Sequence, residues 1–524
     1  MIGQADIGSH GPGSVPRGTV GMIFLWFVLS LGVFYSGHLY SNDTTTKVAV
    51  ARSIVRRGSV AVTATRDVWG PRGTDGRTHP HFSLGSVLVM VPPVVVETVL
   101  AWLRSRTVPA YAISVLVTAQ SLVYTALSGT LIVLLFLHWG LGRRRALLGG
   151  GATVFSSEML VYSSVGYSEP AAFFWGLLGL YFLVGAGVRL SASTRWALWG
   201  LCAGVASLVR IEYVVFFTLF AGVELLRGAS PRRSTAVGLG LLALMFLGHL
   251  WYNEIRYGGL LNFGYYTGGT VSEGSTAAAA ETRHAILGWF RPSRFFRGFY
   301  RIFISWGKVH WFWAFPMTVL FPLVVASRDR VPPALKTAQI AALAYCFLFP
   351  GMGQNSWAWA NRYMYTVLPY LVLGVAFVPA TGRAGRAIVF VVITGFVISA
   401  LGSLVNFHVT LERLVDLHGY HHAMSVSAEN MIHAPVWEHA RQFPYQLAET
   451  IKLAWGGAGG RPWEWLRVNC LDIWPVGLCA VGVWRGVAFG GWGLWTGGSI
   501  IAASRMMKAC GRMRAKGGAF RAKF

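Results

Sequence analysis

An acidic residue just after the first apolar segment is well placed for catalysis. Asp43 lies in the stretch "LYSNDTTTKVAVARSIVRRGSV", which follows the apolar run 20–39. A carboxylate at a membrane surface could take a proton from an attacking hydroxyl and so act as a general base. It could also cap a helix, because Ser41, Asn42 and Asp43 precede an amphipathic stretch. The local sequence leaves both interpretations open.

A second acidic residue lies at the edge of another apolar run. Glu169 belongs to "VYSSVGYSEPAAFFWGLLGLYFL". A carboxylate at the edge of a membrane is costly, which makes it a candidate functional residue. The same residues are also typical of a helix start, since Pro170 would occupy one of the first helical positions.

Three cations in aromatic or amphipathic stretches are candidates for binding a phosphate. Lys47 and Arg52 follow Asp43, and Arg301 belongs to "FRPSRFFRGFYRIFISWGK". The Arg301 stretch is typical of an interfacial helix anchored by lipid headgroups. One or two of its cations could instead neutralise a lipid-linked phosphate.

Histidines and aromatic residues mark three further candidate loops. His79 and His81 flank a proline, Tyr257 lies in "WYNEIRYGGLLNFGYYTGG", and Trp357 precedes Arg362 in "GMGQNSWAWANRYMYTVLP". Such side chains could contact a sugar or a phosphate, although polar loops and an aromatic belt explain them as well. Arg362 heads an apolar run, and an arginine at that depth needs an anionic partner, either protein or ligand.

The composition defines the class of protein that carries these residues. The chain has 524 residues, 54% hydrophobic and 12% charged, with a mean hydropathy of +0.51, whereas soluble domains have about 25% charged residues. This predicts an all-α polytopic membrane protein, since helices satisfy every backbone group in lipid. The formal net charge of +25 is scattered among apolar runs, which argues against nucleic-acid binding. Neither the five cysteines nor the histidines of 406–475 have metal-site spacing, so no cofactor is required and a divalent metal is not indicated.

About eleven to thirteen transmembrane helices are expected, with juxtamembrane helices on the outer face in the first long loop. The predicted spans are 20–39, 110–138, 147–164, 171–188, 196–209, 211–226, 235–252, 310–327, 337–351, 363–380, 385–405 and one or two within 471–503. The pair around Arg210 could be two short helices that meet at one membrane face. Pro92 and Pro93 favour a bent interfacial helix over 83–103 rather than a span.

Short basic loops give the predicted orientation. With 1–19 in the cytoplasm and 83–103 at the surface, the basic turns near Arg143, Arg232, Arg328 and Arg383 all lie inside. The chain then divides into a transmembrane module, an outer-face segment, the last span or spans and a basic cytoplasmic tail. These parts are 20–405 (with long outer loops 40–109 and 253–309), 406–475, 476–504 and 505–524.

Taken in order over roughly residues 20–405, these motifs resemble the GT-C class of membrane glycosyltransferases. The likeness is to the dolichyl-phosphate-mannose protein mannosyltransferases and to the bacterial aminoarabinose transferases that modify lipid A. It is carried by the acid after the first span, "ARSIVRRG", "HPHFSLG", "GRRRA", "YSEP", "SLVRIEY", "YNEIRYGGLLNFGY" and "NRYMYTVLP".

The resemblance implies roles for individual residues. Asp43 matches the family's acid that acts as base or orients the acceptor, and Arg362, Arg210 and Arg256 match its cations. The sequence departs from the family where Asn42 and Thr44 flank Asp43 in place of a second carboxylate. It departs again at His-Pro-His, where the family has a segment like His-Pro-Pro.

Together these features predict a multi-pass membrane glycosyltransferase, in the inner membrane if the chain is bacterial, with its active site on the outer face. It would move a sugar from a polyprenyl-phosphate donor to a hydroxyl of a lipid, glycan or protein, with inversion. Asp43 would be the base and Glu169 a helper acid, and Arg362 with Arg256 or Arg301 would bind the phosphate. A transporter or flippase for lipid-linked sugars is the alternative, and a noncatalytic scaffold is a third.

Overall fold

Helices and short 3-10 turns form the secondary structure of the described residues in this computed structural model. The structure describes residues 16–39, 42–65, 68, 70–104, 108, 110–186, 190–228, 230–263, 296, 316–348, 364–405, 435–456, 466, 470–480 and 485–521. The helices are α1 (Arg17–Gly32), α2 (Asn42–Arg57), α3 (Leu84–Leu88), α4 (Val91–Arg104), α5 (Ala110–His138), α6 (Arg143–Phe155), α7 (Glu158–Tyr162), α8 (Glu169–Leu183), α9 (Ala192–Val209), α10 (Tyr213–Leu226), α11 (Arg232–Tyr257), α12 (Phe321–Ala326), α13 (Pro333–Leu348), α14 (Leu368–Leu373), α15 (Gly382–Leu404), α16 (Pro435–Gly456), α17 (Trp474–Ala480) and α18 (Arg485–Arg521). Turns of 3-10 helix cover Pro316–Leu320, Arg328–Arg330 and Gly374–Phe377.

Several of these helices are long and apolar enough to cross a membrane. Four such stretches occur within the described ranges: Leu84–Leu103, Ala112–His138, Arg232–Tyr257 and Gly382–Leu404. Shorter apolar helices, among them Glu169–Leu183 and Tyr213–Leu226, pack with them. The predicted all-α polytopic class is confirmed, and the total of eleven to thirteen spans stays a prediction.

The segment 83–103, predicted to lie at the membrane surface, is broken as its prolines suggest. A turn at Val89 and Met90 separates α3 from the amphipathic α4. Glu97 of α4 is buried, and its carboxylate accepts a hydrogen bond of 3.0 Å from Arg52 Nε of α2. The whole stretch is nevertheless long and apolar enough to span, so its surface location stays a prediction.

Two other predicted spans are also divided. The span 147–164 breaks after Phe155, where the Ser157 hydroxyl accepts a hydrogen bond from the Met159 N–H and caps α7. The Ser156 hydroxyl donates to the Val392 carbonyl, which ties this break to α15. The chain around Arg210 forms the two short helices α9 and α10, as the sequence suggested.

The basic turns lie together at one end of the bundle, which we call the basic end. Arg145, in the first turn of α6, donates a hydrogen bond to the Val378 carbonyl just before α15. Arg227, after α10, donates 2.9 Å to the Pro333 carbonyl and 2.6 Å to the Thr337 hydroxyl. The loops predicted to share one side of the membrane therefore do share one end of the fold.

Glycines let the helices α9 and α11 approach each other closely. A Cβ added to Gly238 of α11 would lie 2.7 Å from the Trp196 carbonyl oxygen of α9, and one added to Gly200 would collide with Gly238. Small residues at such crossings bring helix backbones into contact within a membrane. The contact holds α9 and α11 side by side; Arg210 follows the end of α9 and Arg256 lies in the last turn of α11.

The C-terminal helix α18 packs antiparallel against α1. The indole N–H groups of Trp492 and Trp495 donate hydrogen bonds of 3.1 Å and 2.7 Å to the carbonyls of Val33 and Leu29. Before this helix, the Asp472 carboxylate lies 2.5 Å from His38 Nδ1. The segment that leads into Asp43 is thereby held by residues near the other end of the chain.

The helix α16, within the predicted outer-face segment, docks on α15 through a buried histidine. His439 Nδ1 lies 3.2 Å from the Leu401 carbonyl oxygen. Burial lowers the pKa of His439 to about 3, although the hydrogen bond to Leu401 opposes this. The docked imidazole is therefore neutral at any physiological pH.

We expect the docking of α16 to weaken on acidification. An exposed histidine binds a proton with a pKa of about 6.5, whereas docked His439 does not, so stability falls as the pH drops from about 6.5 towards about 3. Between about pH 7 and about pH 5, the free energy of local opening should fall by roughly 2 kcal/mol. Hydrogen exchange of α16 amides measures this, and His439→Asn, which keeps an N–H donor, should lose the pH dependence. An equal pH dependence in both proteins would contradict the assignment.

Candidate active site

Two of the predicted site residues form a buried ion pair at the end of the bundle opposite the basic end. Glu169 begins α8 and is fully buried, and Arg210 caps the C-terminus of α9. Arg210 Nη1 lies 3.2 Å from Glu169 Oε1, and Arg210 Nε donates 2.7 Å to Glu212 Oε1. Buried charges require such partners, because removing one leaves the other uncompensated. Arg210 therefore joins two acidic side chains from adjacent helix ends.

Lys47 extends this group of charges from helix α2. Its side chain is 1% exposed, and Nζ donates a hydrogen bond of 3.3 Å to the hydroxyl of Ser168, the residue before Glu169. The same ammonium lies 5.0 Å from the centroid of the Phe82 ring, a cation–π distance. We call Lys47, Ser168, Glu169 and Arg210 the charged cluster.

A narrow cleft opens beside the charged cluster. Its lining residues come from α2, from α3 and the loop before it, from the end of α9 and the turn that follows, and from α11 and the residues after it. They are Lys47, His81, Phe82, Ser83, Ser86, Val209, Arg210, Ile211, Glu212, His249 and Phe263. Three predicted site residues, Lys47, His81 and Arg210, therefore share one cleft although they are far apart in sequence. Its wall carries two cations, Lys47 and Arg210, and one acid, Glu212, which pairs with Arg210.

Asp43 lies at the N-terminal end of the helix that supplies Lys47. It is half-buried in the first turn of α2, and Lys47 follows four positions later, which places both on one helix face. The next residue, Thr44, donates a hydrogen bond of 3.4 Å to the Gly166 carbonyl. An acid in the first turn also favours the helix dipole, so a structural role and the predicted role as base are compatible.

Arg256 and Tyr257 hold the His-Pro-His loop against the end of α11. Arg256 is 2% exposed, and Nη1 donates hydrogen bonds of 2.7 Å to the Pro80 carbonyl and 3.1 Å to the Phe82 carbonyl. Its guanidinium lies 3.8 Å from the Tyr252 ring centroid, and the Tyr257 hydroxyl donates 2.9 Å to the His79 carbonyl. The described contacts of Arg256 position this loop, and its role as a phosphate ligand stays a prediction.

The two loop histidines differ in their surroundings. His79 is buried, and its Nε2 lies 2.9 Å from Asp75 Oδ1. Slight burial would raise the pKa of Asp75, but hydrogen bonds from the Arg77 N–H and from His79 outweigh it, and the pKa is lowered. His81 is half-buried and lines the cleft. Of the two, His81 is therefore the one placed to meet a substrate.

Of the remaining predicted residues, Arg52 lies apart from the cleft and three others fall outside the described residues. Arg52 pairs with Glu97 between α2 and α4, on the part of α2 away from Asp43. Arg301, Arg362 and Trp357 lie outside the described residues, as do most of 253–309 and much of 406–475. Their roles as phosphate ligands and substrate contact stay predictions.

Glu158 is a further buried acid that the motif analysis missed. It begins α7, is fully buried, and is close enough to Glu169 for the two carboxyl groups to interact. Neither of its oxygens has a hydrogen-bond partner among the described residues. An acid inside the predicted span 147–164 was the available signal, since charged residues there are rare and functional.

Candidate metal ligands do not gather at this site. Within the described ranges, no group of three or more His, Cys, Asp or Glu side chains is arranged to hold a metal ion. Arg210 pairs with Glu169 of the charged cluster and with Glu212 beside it.

Comparison with known proteins finds similarity in structure only. No family model and no curated protein matches the sequence. The chain is similar to ArnT from Cupriavidus metallidurans bound to undecaprenyl phosphate, with 17% identity, a TM-score of 0.47, and coverage of 84% of this chain and 80% of that chain. It is also similar to the apo oligosaccharyltransferase of Archaeoglobus fulgidus, with 12% identity and a TM-score of 0.44 over 86% of this chain and 58% of that chain. The functional conclusion therefore depends on the site.

Proposed function

We propose that this protein is a membrane glycosyltransferase that moves a sugar from a polyprenyl-phosphate donor to an acceptor hydroxyl. The observation that carries the proposal is Lys47, a buried ammonium at the wall of the cleft, beside the ion pair of Glu169 and Arg210. A lipid-phosphate donor is an anion confined to the membrane, so its phosphate must be bound at a membrane surface. The resemblance of the sequence motifs to GT-C enzymes supports the same reaction class.

The reaction divides between Asp43 and Lys47, which lie one turn apart on α2. The acceptor oxygen attacks the anomeric carbon while the bond from that carbon to the phosphate oxygen breaks. The hydroxyl proton passes to the Asp43 carboxylate, and the electron pair of the broken bond leaves with the polyprenyl phosphate. Lys47 and Arg210 would stabilise the charge that develops on this phosphate, and Glu169 would keep Arg210 in position. A single displacement inverts the anomeric configuration.

The active site would face the outer side of the membrane. Basic loops favour the cytoplasm, and in this fold they lie at the end opposite the charged cluster. For a bacterial chain this is the inner membrane with an outward-facing site. The sugar and the acceptor are not specified by the described residues.

The decisive variant is Asp43→Asn, assayed as transfer of labelled sugar from polyprenyl-phosphate sugars in membranes that contain the full chain. Loss of a general base should lower transfer by about 10² to 10⁴-fold, while binding of undecaprenyl phosphate is retained. Asp329→Asn, which changes an acid at the basic end, is the matched control and should leave transfer unchanged. Full transfer activity of the Asp43→Asn variant would rule out Asp43 as the general base. Binding of the sugar lipid without any turnover in the unaltered protein would favour the transporter instead.

A further inference from the structure

A large apolar cavity lies at the basic end, remote from the cleft. It has a volume of about 860 Å³ and is enclosed by α6, α15 and the turns that precede α15. Most of its wall is aliphatic, including Leu148, Val375, Val389 and Ile393. Cavities of about 300 to 1,000 Å³ are the size that commonly holds a ligand.

The mouth of the cavity is positively charged. Arg143, Arg144 and Arg145 line it from the first turn of α6, which contains no acidic residue. Arg330 of the neighbouring turn is close enough to act electrostatically on Arg145, and the acid in that turn, Asp329, is flanked by arginines. Charge complementarity therefore calls for an occupant with an anionic head.

The depth of the cavity fits one leaflet of a bilayer. Along α6 it extends from Arg143 to Thr153, a rise of about 15 Å, and a hydrocarbon core is about 30 Å thick. Leu148, Val389 and Ile393 are each more than half exposed, so the apolar wall continues onto the outer surface of the bundle. An acyl chain could therefore enter from the side.

We propose that this cavity binds an anionic phospholipid, with its acyl chains against α6 and α15 and its phosphate at Arg143 and Arg144. Arg145 has a structural role, because it donates a hydrogen bond to the Val378 carbonyl. The occupant is not the reacting donor: α5, with 29 residues and a length of about 43 Å, separates the two ends of the bundle. This site is independent of the proposed transfer reaction.

Lipid titration of the detergent-solubilised full-length chain, followed by native mass spectrometry, tests the proposal. The probes are phosphatidylglycerol and phosphatidylcholine with the same acyl chains. We expect one phosphatidylglycerol to remain bound where phosphatidylcholine does not. The double variant Arg143→Gln/Arg144→Gln should weaken its binding by about tenfold to thirtyfold, since each arginine contributes to holding an anionic lipid. Arg232→Gln/Arg233→Gln, exposed at the same end but outside the cavity, is the charge control.

A second pair of variants separates the cavity from surface attraction. Val389→Trp fills the cavity from α15 and should exclude the lipid while all the arginines remain. Val397→Trp, exposed two turns further along the same helix and outside the cavity, should bind lipid normally. Equal retention of the two lipids, equal losses in both arginine pairs, or undiminished binding by Val389→Trp would each overturn the proposal. None of these measurements uses a donor or acceptor, so they stand apart from the transferase assay.

Discussion

Replacing Arg210 with methionine should lower the free energy of unfolding by about 3 to 5 kcal/mol, because it leaves buried carboxylates without a partner. Glu169 is fully buried, and its described ion pair is with Arg210. Glu158, also fully buried, lies close enough to Glu169 for the two carboxyl groups to interact. Unfolding of the purified full chain in mixed detergent and SDS micelles measures the change, with helical content as the signal.

A second substitution shows whether this loss comes from charge. The double variant Arg210→Met/Glu169→Gln removes Arg210 and one of its two acidic partners, and it should recover part of the lost stability, because a neutral amide costs less to bury than a lone carboxylate. Glu212, the other partner, keeps its charge in both variants. Additive losses in the double variant would contradict the buried-pair interpretation, since interacting residues show coupling. Arg195→Met, on the same helix but at its other end, is the control for loss of an arginine side chain.

Replacing Lys47 with methionine should lower the kcat/KM of sugar transfer by about 10 to 100-fold, the value expected for one hydrogen bond to a charged group. The Nζ of Lys47 is buried beside Ser168 and the cleft, where a charge interacts more strongly than in water. The same change should weaken binding of undecaprenyl phosphate by a similar factor.

The control for Lys47→Met is Arg57→Gln on the same helix. Arg57 is exposed in the last turn of α2, where it donates to the Ser53 hydroxyl. Its loss removes an equal charge from α2 without touching the cleft, so transfer should be unchanged. Equal losses in the two variants would mean that net charge on α2, rather than the buried ammonium, is what matters. Unaltered transfer by Lys47→Met would exclude Lys47 from the donor site.

Local sequence was sufficient for several elements and for part of the site. The amphipathic α2, the proline-induced break before α4 and the two helices around Arg210 follow from residues close together in the chain. An acid at a membrane edge was also a sound signal, because burial of Glu169 is costly without function or a partner. These features depend on short-range chemistry that a single sequence contains.

Pairings across the fold could not be derived in the same way. The sequence placed Lys47 and Arg52 together as phosphate ligands, but Lys47 points to Ser168 whereas Arg52 pairs with Glu97. These partners belong to other parts of the fold, Ser168 at the start of α8 and Glu97 in α4. Lys47 and Arg52 lie at different positions along α2, so each meets a different partner. The motif of Arg256 likewise suggested a side chain that could bind phosphate. The tertiary structure shows instead that Arg256 Nη1 donates hydrogen bonds to the carbonyls of Pro80 and Phe82. These contacts depend on tertiary packing, which a local sequence pattern does not contain.

The contact between α1 and α18 has a consequence for how the protein is made. Trp495 and Leu29 are 466 positions apart, and a ribosome adds about 5 to 20 residues each second, so α1 waits for many seconds before its partner emerges. During that time the backbone hydrogen bond from Trp474 to Tyr35 and the Asp472 contact to His38 are also missing. The residues that lead into Asp43 are thus secured last. A truncated chain would lack the contacts that hold the segment before Asp43, so the position of this candidate base depends on completion of the chain.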